Sequence, residues 1–297
     1  MIKSNDEINW KSAINKLEGA YSPHTLRGYR SDFVIFETWC RKTKRTPLPA
    51  TPETVAEFIT AQTAACSPST LKHRIASIRK IHRLMRLVSP TEDEDVAIAL
   101  RRAFRQKRRR PKQALGITSE RLERLLKACG EDLKGARDRA MLKVGYDTLC
   151  RRAELVALRV EDIHEDGNGG ARILIRRSKN DPFGDGRYGR ISKTALEAVK
   201  YWLQIGKIRK GYIFRTTNNG NILTSGLHPY AVNRMVKQLA TAAKFDATTI
   251  ADLSGHSFRV GAAQDLMTSG KSVLAIMKAG GWRSMNVVGR YVENAEF

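Results

Sequence analysis

Apolar positions in the first third of the chain recur at helical spacing. Ile8, Ile14 and Leu17 predict a first helix, and Ser22-Pro23 then supplies a cap and a proline that a first helical turn tolerates, ahead of Leu26, Tyr29, Phe33 and Phe36. The same opening recurs. Thr51-Pro52-Glu53 precedes Val55, Phe58 and Ile59; Ser67-Pro68-Ser69 precedes Leu71, Ile75, Ile78, Ile81 and Leu84; Ser89-Pro90-Thr91 precedes Val96, Ile98, Leu100 and Phe104. No period-two alternation interrupts this pattern, so residues 1–108 are expected to form a helical bundle.

Beyond it the pattern is mixed. A capped helix is expected from Thr118-Ser119-Glu120 through Leu122, Leu125 and Leu126, and a second near residues 136–146. In TLCRRAELVALRVEDI, Arg151 and Glu154 form an i, i+3 pair on a helix whose other face carries Leu155 and Leu158. Short strands are expected around 158–163 and 171–177, parted by the turn-rich residues 164–170; RRSKNDPFGDGRYGRIS follows as a hairpin with Lys179 at its tip. Helices resume at 193–203 and 229–244. Near the end, SGHSFRVGAAQDL places His256 and Arg259 on one helix face, and Trp282 and Tyr291 come after a Gly280-Gly281 break. The expected class is therefore mainly α: a helical bundle over 1–108, a linker over 109–116, and an α+β domain with a small antiparallel sheet over 117–297.

Charge changes the picture most. The chain carries 53 Lys+Arg against 30 Asp+Glu, a net +23, and such a field costs self-repulsion unless a polyanion neutralises it. Nucleic acid is the leading partner and an anionic membrane surface the second. RRAFRQKRRRPK packs eight Lys/Arg, Arg108, Arg109 and Arg110 among them, into twelve residues between the two domains. Such a run is either a solvated face or a cationic hinge that tracks a phosphate backbone. No apolar run approaches the roughly 18 residues of a membrane span, and the N-terminus lacks a signal-peptide core. The four cysteines are scattered without a C-x-x-C pair, which fits reduced core thiols better than zinc or disulfides.

YDTLCRRAELVALRVEDI, RRSKND, SGHSFRVGAAQDL and AGGWRSMNVVGRYVEN, in that order, resemble the signature boxes of the tyrosine recombinases, the integrase family, and most of all its Cre-like branch. The resemblance runs through the helical first domain and the PKQAL junction. It implies a SAM-like core-binding bundle followed by the integrase DNA breaking-rejoining fold, and DNA cleavage through a 3′-phosphotyrosyl bond without metal, ATP or other cofactor. Tyr291 then matches the nucleophile, Arg151 and Arg259 the two phosphate-binding arginines, and His256 the group that takes or shares the phenol proton. Lys179 matches the hairpin general acid, Trp282 a phosphate donor, and Glu154 an acidic residue that steadies the site. Two arginines suit this chemistry because their planar forks bind phosphate oxygens bidentately.

The resemblance also implies major-groove contacts from Tyr230, Asn233, Arg234 and Lys237 in the second domain and from Arg27, Arg30, Lys72, His73 and Arg79 in the first. The partners it implies are double-stranded DNA with inverted repeats and further copies of the chain, a dimer per site and a tetramer in synapse, in a cytoplasmic, nucleoid-associated protein of prokaryotic, phage or plasmid origin. Cre-like members continue past the tyrosine into a helix that docks on a neighbour; here six residues follow Tyr291, so either the sequence is truncated or subunits meet differently. Each residue also has a plainer reading. Trp282 could anchor a core, Tyr291 pack an amphipathic helix, His256 cap its helix, Arg151 and Glu154 form a surface pair, and Arg176 or Arg177 take the place of Lys179. Relaxation by a type IB topoisomerase-like monomer and a non-catalytic DNA-binding regulator are the competing functions.

Overall fold

The computed structural model describes residues 9–107, 112–178, 181, 184–218 and 221–295. It divides into two compact units, Met1–Lys112 and Gln113–Phe297. The first unit contains α1 (Trp10–Asn15), α2 (Pro23–Lys42), α3 (Pro52–Thr63), α4 (Pro68–Leu84) and α5 (Glu94–Gln106). Ser22, Thr51 and Ser67 each accept a hydrogen bond from the N–H three residues on, at 3.2–3.3 Å, and the following proline removes a donor that the first turn cannot satisfy. The fourth such opening, Ser89-Pro90, behaves otherwise. Pro90–Glu92 is a single 3-10 turn, and α5 starts later, where the Asp93 carboxylate accepts from Asp95 N at 2.9 Å and acidic residues fill the first turn.

The core of this unit is aromatic. Phe33, Phe36 and Phe58 are fully buried, with edge-to-face contacts at 5.8 and 5.0 Å. His82 is buried in the same unit. It bridges Ala50 N (3.0 Å) and Ile78 O (2.9 Å), and burial holds its pKa below the ordinary value, so the ring is neutral.

The second unit is built around α7 (Leu133–Thr148), which buries residues on all sides as a central helix must. Around it lie α6 (Ser119–Lys127), α8 (Arg152–Val156), α9 (Lys193–Ile205), α10 (Tyr230–Ala242), α11 (Ala247–Asp252), α12 (Ser257–Thr268), α13 (Val273–Gly280) and α14 (Met285–Val292). A three-stranded antiparallel sheet in the order β1 (Ile163–Glu165), β2 (Ala171–Ile175), β3 (Arg187–Ile191) covers one side. Ala171, Ile173 and Ile175 point inward and Arg172 outward, the alternation of a half-buried strand. A second hairpin, β4 (Arg215–Asn218) with β5 (Asn221–Gly226), was absent from the sequence expectation.

Three local expectations are corrected. The strand expected over 158–163 begins only at Ile163, because Leu158 O and Val160 N bond instead to Ile213 N and Gly211 O. Thr118 does sit at the N-cap of α6, but its side chain makes no capping bond; Ser119 N donates to Asp265 Oδ2 at 2.6 Å. Residues 113–116, expected in the linker, belong to the second unit, with Leu115 N bonded to Asp252 O. Among the described residues no helix is long and apolar enough to cross a membrane.

Candidate active site

Two arginines tie together the C-terminal ends of α7 and α13. The last carbonyls of a helix lack partners within it and carry its negative dipole end, so they attract guanidinium groups. Arg259, fully buried, donates to Leu149 O and to Gly280 O (2.9 Å). Arg187 lies parallel in function, donating to Thr148 O (3.1 Å) and Ala279 O (2.9 Å). The chain makes room for both. Leu149 takes a left-handed conformation at the end of α7, and Gly281 does so at the end of α13 (φ 64°), where a Cβ would stand 2.7 Å from Arg187 Cδ.

The SGHS turn fixes His256. Ser257 Oγ accepts from Ser254 N, Ser254 Oγ accepts from His256 N, and Asn233 Oδ1 of α10 accepts from Gly255 N at 2.7 Å. His256 stands at the N-cap of α12, yet its side chain caps nothing. It reaches α14 instead, where Nε2 lies 2.7 Å from the Tyr291 hydroxyl. Crowding first, and then the positive charges of Arg259, Arg151 and Arg152, hold the imidazole pKa down to about 4, although the residue keeps solvent-exposed surface. At neutral pH the ring is uncharged.

Trp282 follows the glycine break and is buried, its ring 4.8 Å from that of Tyr291. The Arg259 guanidinium sits 4.5 Å from the Trp282 ring centre and 5.7 Å from that of Tyr291, within cation–π range. Trp282 Nε1 and Arg259 Nε are buried donors without a hydrogen-bond partner among the described residues. His256, Arg259, Trp282 and Tyr291 are thus one constellation. The cation-plus-phenol arrangement can bind an anion and deliver an oxygen nucleophile to it.

Arg151 and Glu154 are not an in-helix surface pair. Arg151 is the extended N-cap residue of α8, and Glu154, 4 % exposed, reaches back to accept from Arg151 N (3.0 Å) and Arg151 Nη1 (2.6 Å). Arg187 adds a second cation 3.6 Å from the same carboxylate. It therefore joins Glu154, α7 and α13, a role that the sequence reading missed, since its partners lie 33 to 92 positions away in the chain and meet it only when the ends of two helices come together. Arg187→Met is expected to lower stability by about 2–4 kcal/mol, because it leaves a buried carboxylate and two helix-end carbonyls short of donors. Urea denaturation checks this; a change below about 0.5 kcal/mol, the scale of an ordinary surface substitution, contradicts it.

Lys179 and Arg108, Arg109 and Arg110 lie outside the described residues. Arg176, its proposed substitute, is committed to Asp162 through bonds of 2.8–3.1 Å. The structure gathers Tyr230, Asn233, Arg234 and Lys237 around one cleft of about 510 Å³ on α10. Tyr230, Arg234 and Lys237 face solvent, whereas Asn233 is engaged with the SGHS turn. On the first unit Arg27 of α2 and Lys72 and His73 of α4 are exposed on packed neighbouring helices. Arg30 of α2 bonds Asn15 (2.8 Å) and Arg79 of α4 bonds Thr91 (3.0 Å), and both side chains stay partly exposed.

Comparison with known proteins bears on this geometry. A model of the phage integrase family matches residues 116–296, and one of the phage integrase N-terminal SAM-like domain matches residues 15–86. The recombinase Cre of Escherichia phage P1 is 29% identical over 294 residues, covering 93% of this chain and 86% of Cre. An integrase/recombinase XerD homolog of Selenomonas ruminantium is 29% identical over 303 residues, covering 98% of this chain and 87% of its own length. The fold resembles that of the XerH site-specific recombinase bound to a palindromic difH substrate in a post-cleavage complex: TM-score 0.67 at 17% identity, covering 97% of this chain and 81% of that one.

Proposed function

Because the chain belongs to the phage integrase family, we propose that it is a site-specific tyrosine recombinase that cuts and rejoins double-stranded DNA through a 3′-phosphotyrosyl bond on Tyr291. The observation that carries this reading is the 2.7 Å contact between the Tyr291 hydroxyl and a His256 ring held neutral. The phenol oxygen attacks the scissile phosphorus, its proton passes to His256 Nε2, and the P–O5′ bond breaks. Lys179 returns a proton to the departing 5′ oxygen. The phosphotyrosyl bond keeps the phosphodiester energy, so a 5′ hydroxyl of a second duplex reverses the step and exchanges strands through a Holliday junction.

Arg151 and Arg259 bind the non-bridging phosphate oxygens, where negative charge builds up. Arg259 shows no surface in the free protein, so the rings of Tyr291 and Trp282 shift when phosphate enters. The Trp282 N–H gains an acceptor at that moment, and being without one costs about 1–3 kcal/mol beforehand. Glu154 and Arg187 hold the frame. DNA meets the exposed side chains of α10, and in the first unit those of α2 and α4. The working assembly is a dimer on each inverted-repeat site and a tetramer in synapse, acting on cytoplasmic nucleoid or replicon DNA.

Nicked duplexes that the protein retains from a random-sequence pool test the chemistry, since a nick traps the cleaved state. A denaturation-stable protein–DNA adduct is expected, and its absence on every retained duplex favours a DNA-binding regulator. Exchange between two-site plasmids, against relaxation of one-site plasmids, then separates recombination from topoisomerase action.

The neutral histidine sets the pH dependence. An unshifted histidine of pKa about 6.5 is roughly three-quarters protonated at pH 6. With its pKa lowered to about 4, His256 stays an acceptor as pH falls through that range and is lost only as pH approaches 4. In the DNA-free protein the His256 imidazole, followed by NMR, is expected to stay neutral at pH 6; a titration midpoint near 6.5 contradicts the assignment.

A further inference from the structure

The first residue of the second unit closes on the end of the nucleophile helix. Gln113 Nε2 donates to Arg290 O (2.7 Å) and Tyr291 O (3.3 Å), and Gln113 Oε1 accepts from Asn294 Nδ2 (3.1 Å). These carbonyls belong to the last turn of α14, where no partner remains within the helix, and one of them is the carbonyl of Tyr291 itself. The amide thus replaces the missing continuation of the helix. α14 is only eight residues long, so fraying of its last turn would displace the phenol.

The segment after Gln113 is itself anchored beside the other site residues. Leu115 N bonds Asp252 O (3.0 Å), Ile117 N bonds Ser257 O (2.9 Å), and Ser119 N bonds Asp265. This strap crosses α12 where Gly116 faces Gly261: a Cβ on Gly261 would stand 1.9 Å from Ile117 O, and one on Gly116 would stand 2.9 Å from Gly261. The close approach fixes the strap against the helix that carries Arg259, next to the turn that carries His256. One short segment therefore grips both halves of the constellation.

We propose that Gln113 is a positioning residue for Tyr291, holding the last turn of α14 so that the phenol stays in register with His256 and the phosphate. The proposal rests on Tyr291 being the nucleophile. Its effect is on the chemical step, because a misplacement of about 1 Å at a reacting atom can cost about 100-fold in rate. The hydrogen bonds of the side chain go to Arg290, Tyr291 and Asn294, and no α10 residue is among these partners.

The test uses the full-length protein and a nicked duplex that it retains from a random-sequence pool. Single-turnover adduct formation is followed against DNA concentration for wild type, Gln113→Ala, Gln113→Glu and Gln113→Lys. Gln113→Glu keeps size and acceptor but loses both donors; Gln113→Lys keeps a donor to the two carbonyls. Alanine and glutamate are expected to lower the saturating rate about tenfold or more, with the half-saturating DNA concentration within about twofold and the thermal midpoint unchanged. Lysine is expected to retain most of the rate. A wild-type rate in Gln113→Glu overturns the proposal, as does a faster one, which would make the contact inhibitory. A loss of rate accompanied by an equal loss of DNA affinity or of thermal stability overturns it as well. Absence of adduct with wild type is a different failure, that of the nucleophile assignment.

Discussion

Tyr291→Phe is expected to bind DNA as wild type does and to form no covalent adduct. The phenol ring packs 4.8 Å from Trp282 and 5.7 Å from the Arg259 guanidinium, contacts that phenylalanine keeps. What it loses is one oxygen and its 2.7 Å bond to His256. A single partly exposed hydrogen bond contributes about 0.5–1.5 kcal/mol, so the fold stays intact while the oxygen proposed to attack phosphorus is gone. Adduct formation should fall below detection with the DNA dissociation constant within about threefold of wild type, about 0.7 kcal/mol. Unchanged adduct yield would place the nucleophile elsewhere, and lost binding would make Tyr291 a structural residue.

Arg259→Lys carries the second-largest expectation. Lysine keeps the charge but has one nitrogen where arginine has a fork, so it cannot bond Leu149 O and Gly280 O and also face a phosphate. Removing one preorganised donor from a developing oxyanion costs about 10²–10³ in rate. A saturating cleavage rate lower by about 10³-fold is therefore expected. Because the residue is fully buried, stability should fall too, by about 2–4 kcal/mol, as the two helix ends lose their brace. Rates taken well below the unfolding midpoint separate the two effects. A lysine variant within tenfold of wild type would mean that Arg259 braces the fold and does not touch phosphate.

Much of this was legible where structure is local. Ser22-Pro23, Thr51-Pro52 and Ser67-Pro68 mark helix starts because cap and proline act within four residues. Ser89-Pro90 carried the same signal, yet Asp93 opens α5, since a carboxylate with two acidic neighbours is the better cap. The boxes around Arg151, His256, Arg259, Trp282 and Tyr291 were readable as a set through their family resemblance. Their geometry was not. Nothing in R-x-x-E says that Arg151 is a cap residue or that Glu154 is buried, and nothing in H-x-x-R says that Arg259 spends its fork on two helix ends. Arg187 was missed because it lies on β3 and its partners belong to α7, α8 and α13. Residues 158–160 read as a strand because apolar Leu158 and Val160 flank Arg159, and they do pair, though with 211–213, a pairing no local pattern encodes.

The central claim is that Tyr291 becomes covalently joined to the 3′ side of a DNA break. The direct measurement is to isolate the adduct from a nicked duplex, digest the protein and sequence the DNA-linked peptide by mass spectrometry, with kinase labelling of the released strand. The prediction is a phosphotyrosine at Tyr291 and a strand whose free 5′ hydroxyl accepts label. Linkage through another side chain, such as the exposed Tyr230, or a DNA joined through its 5′ phosphate, would contradict it.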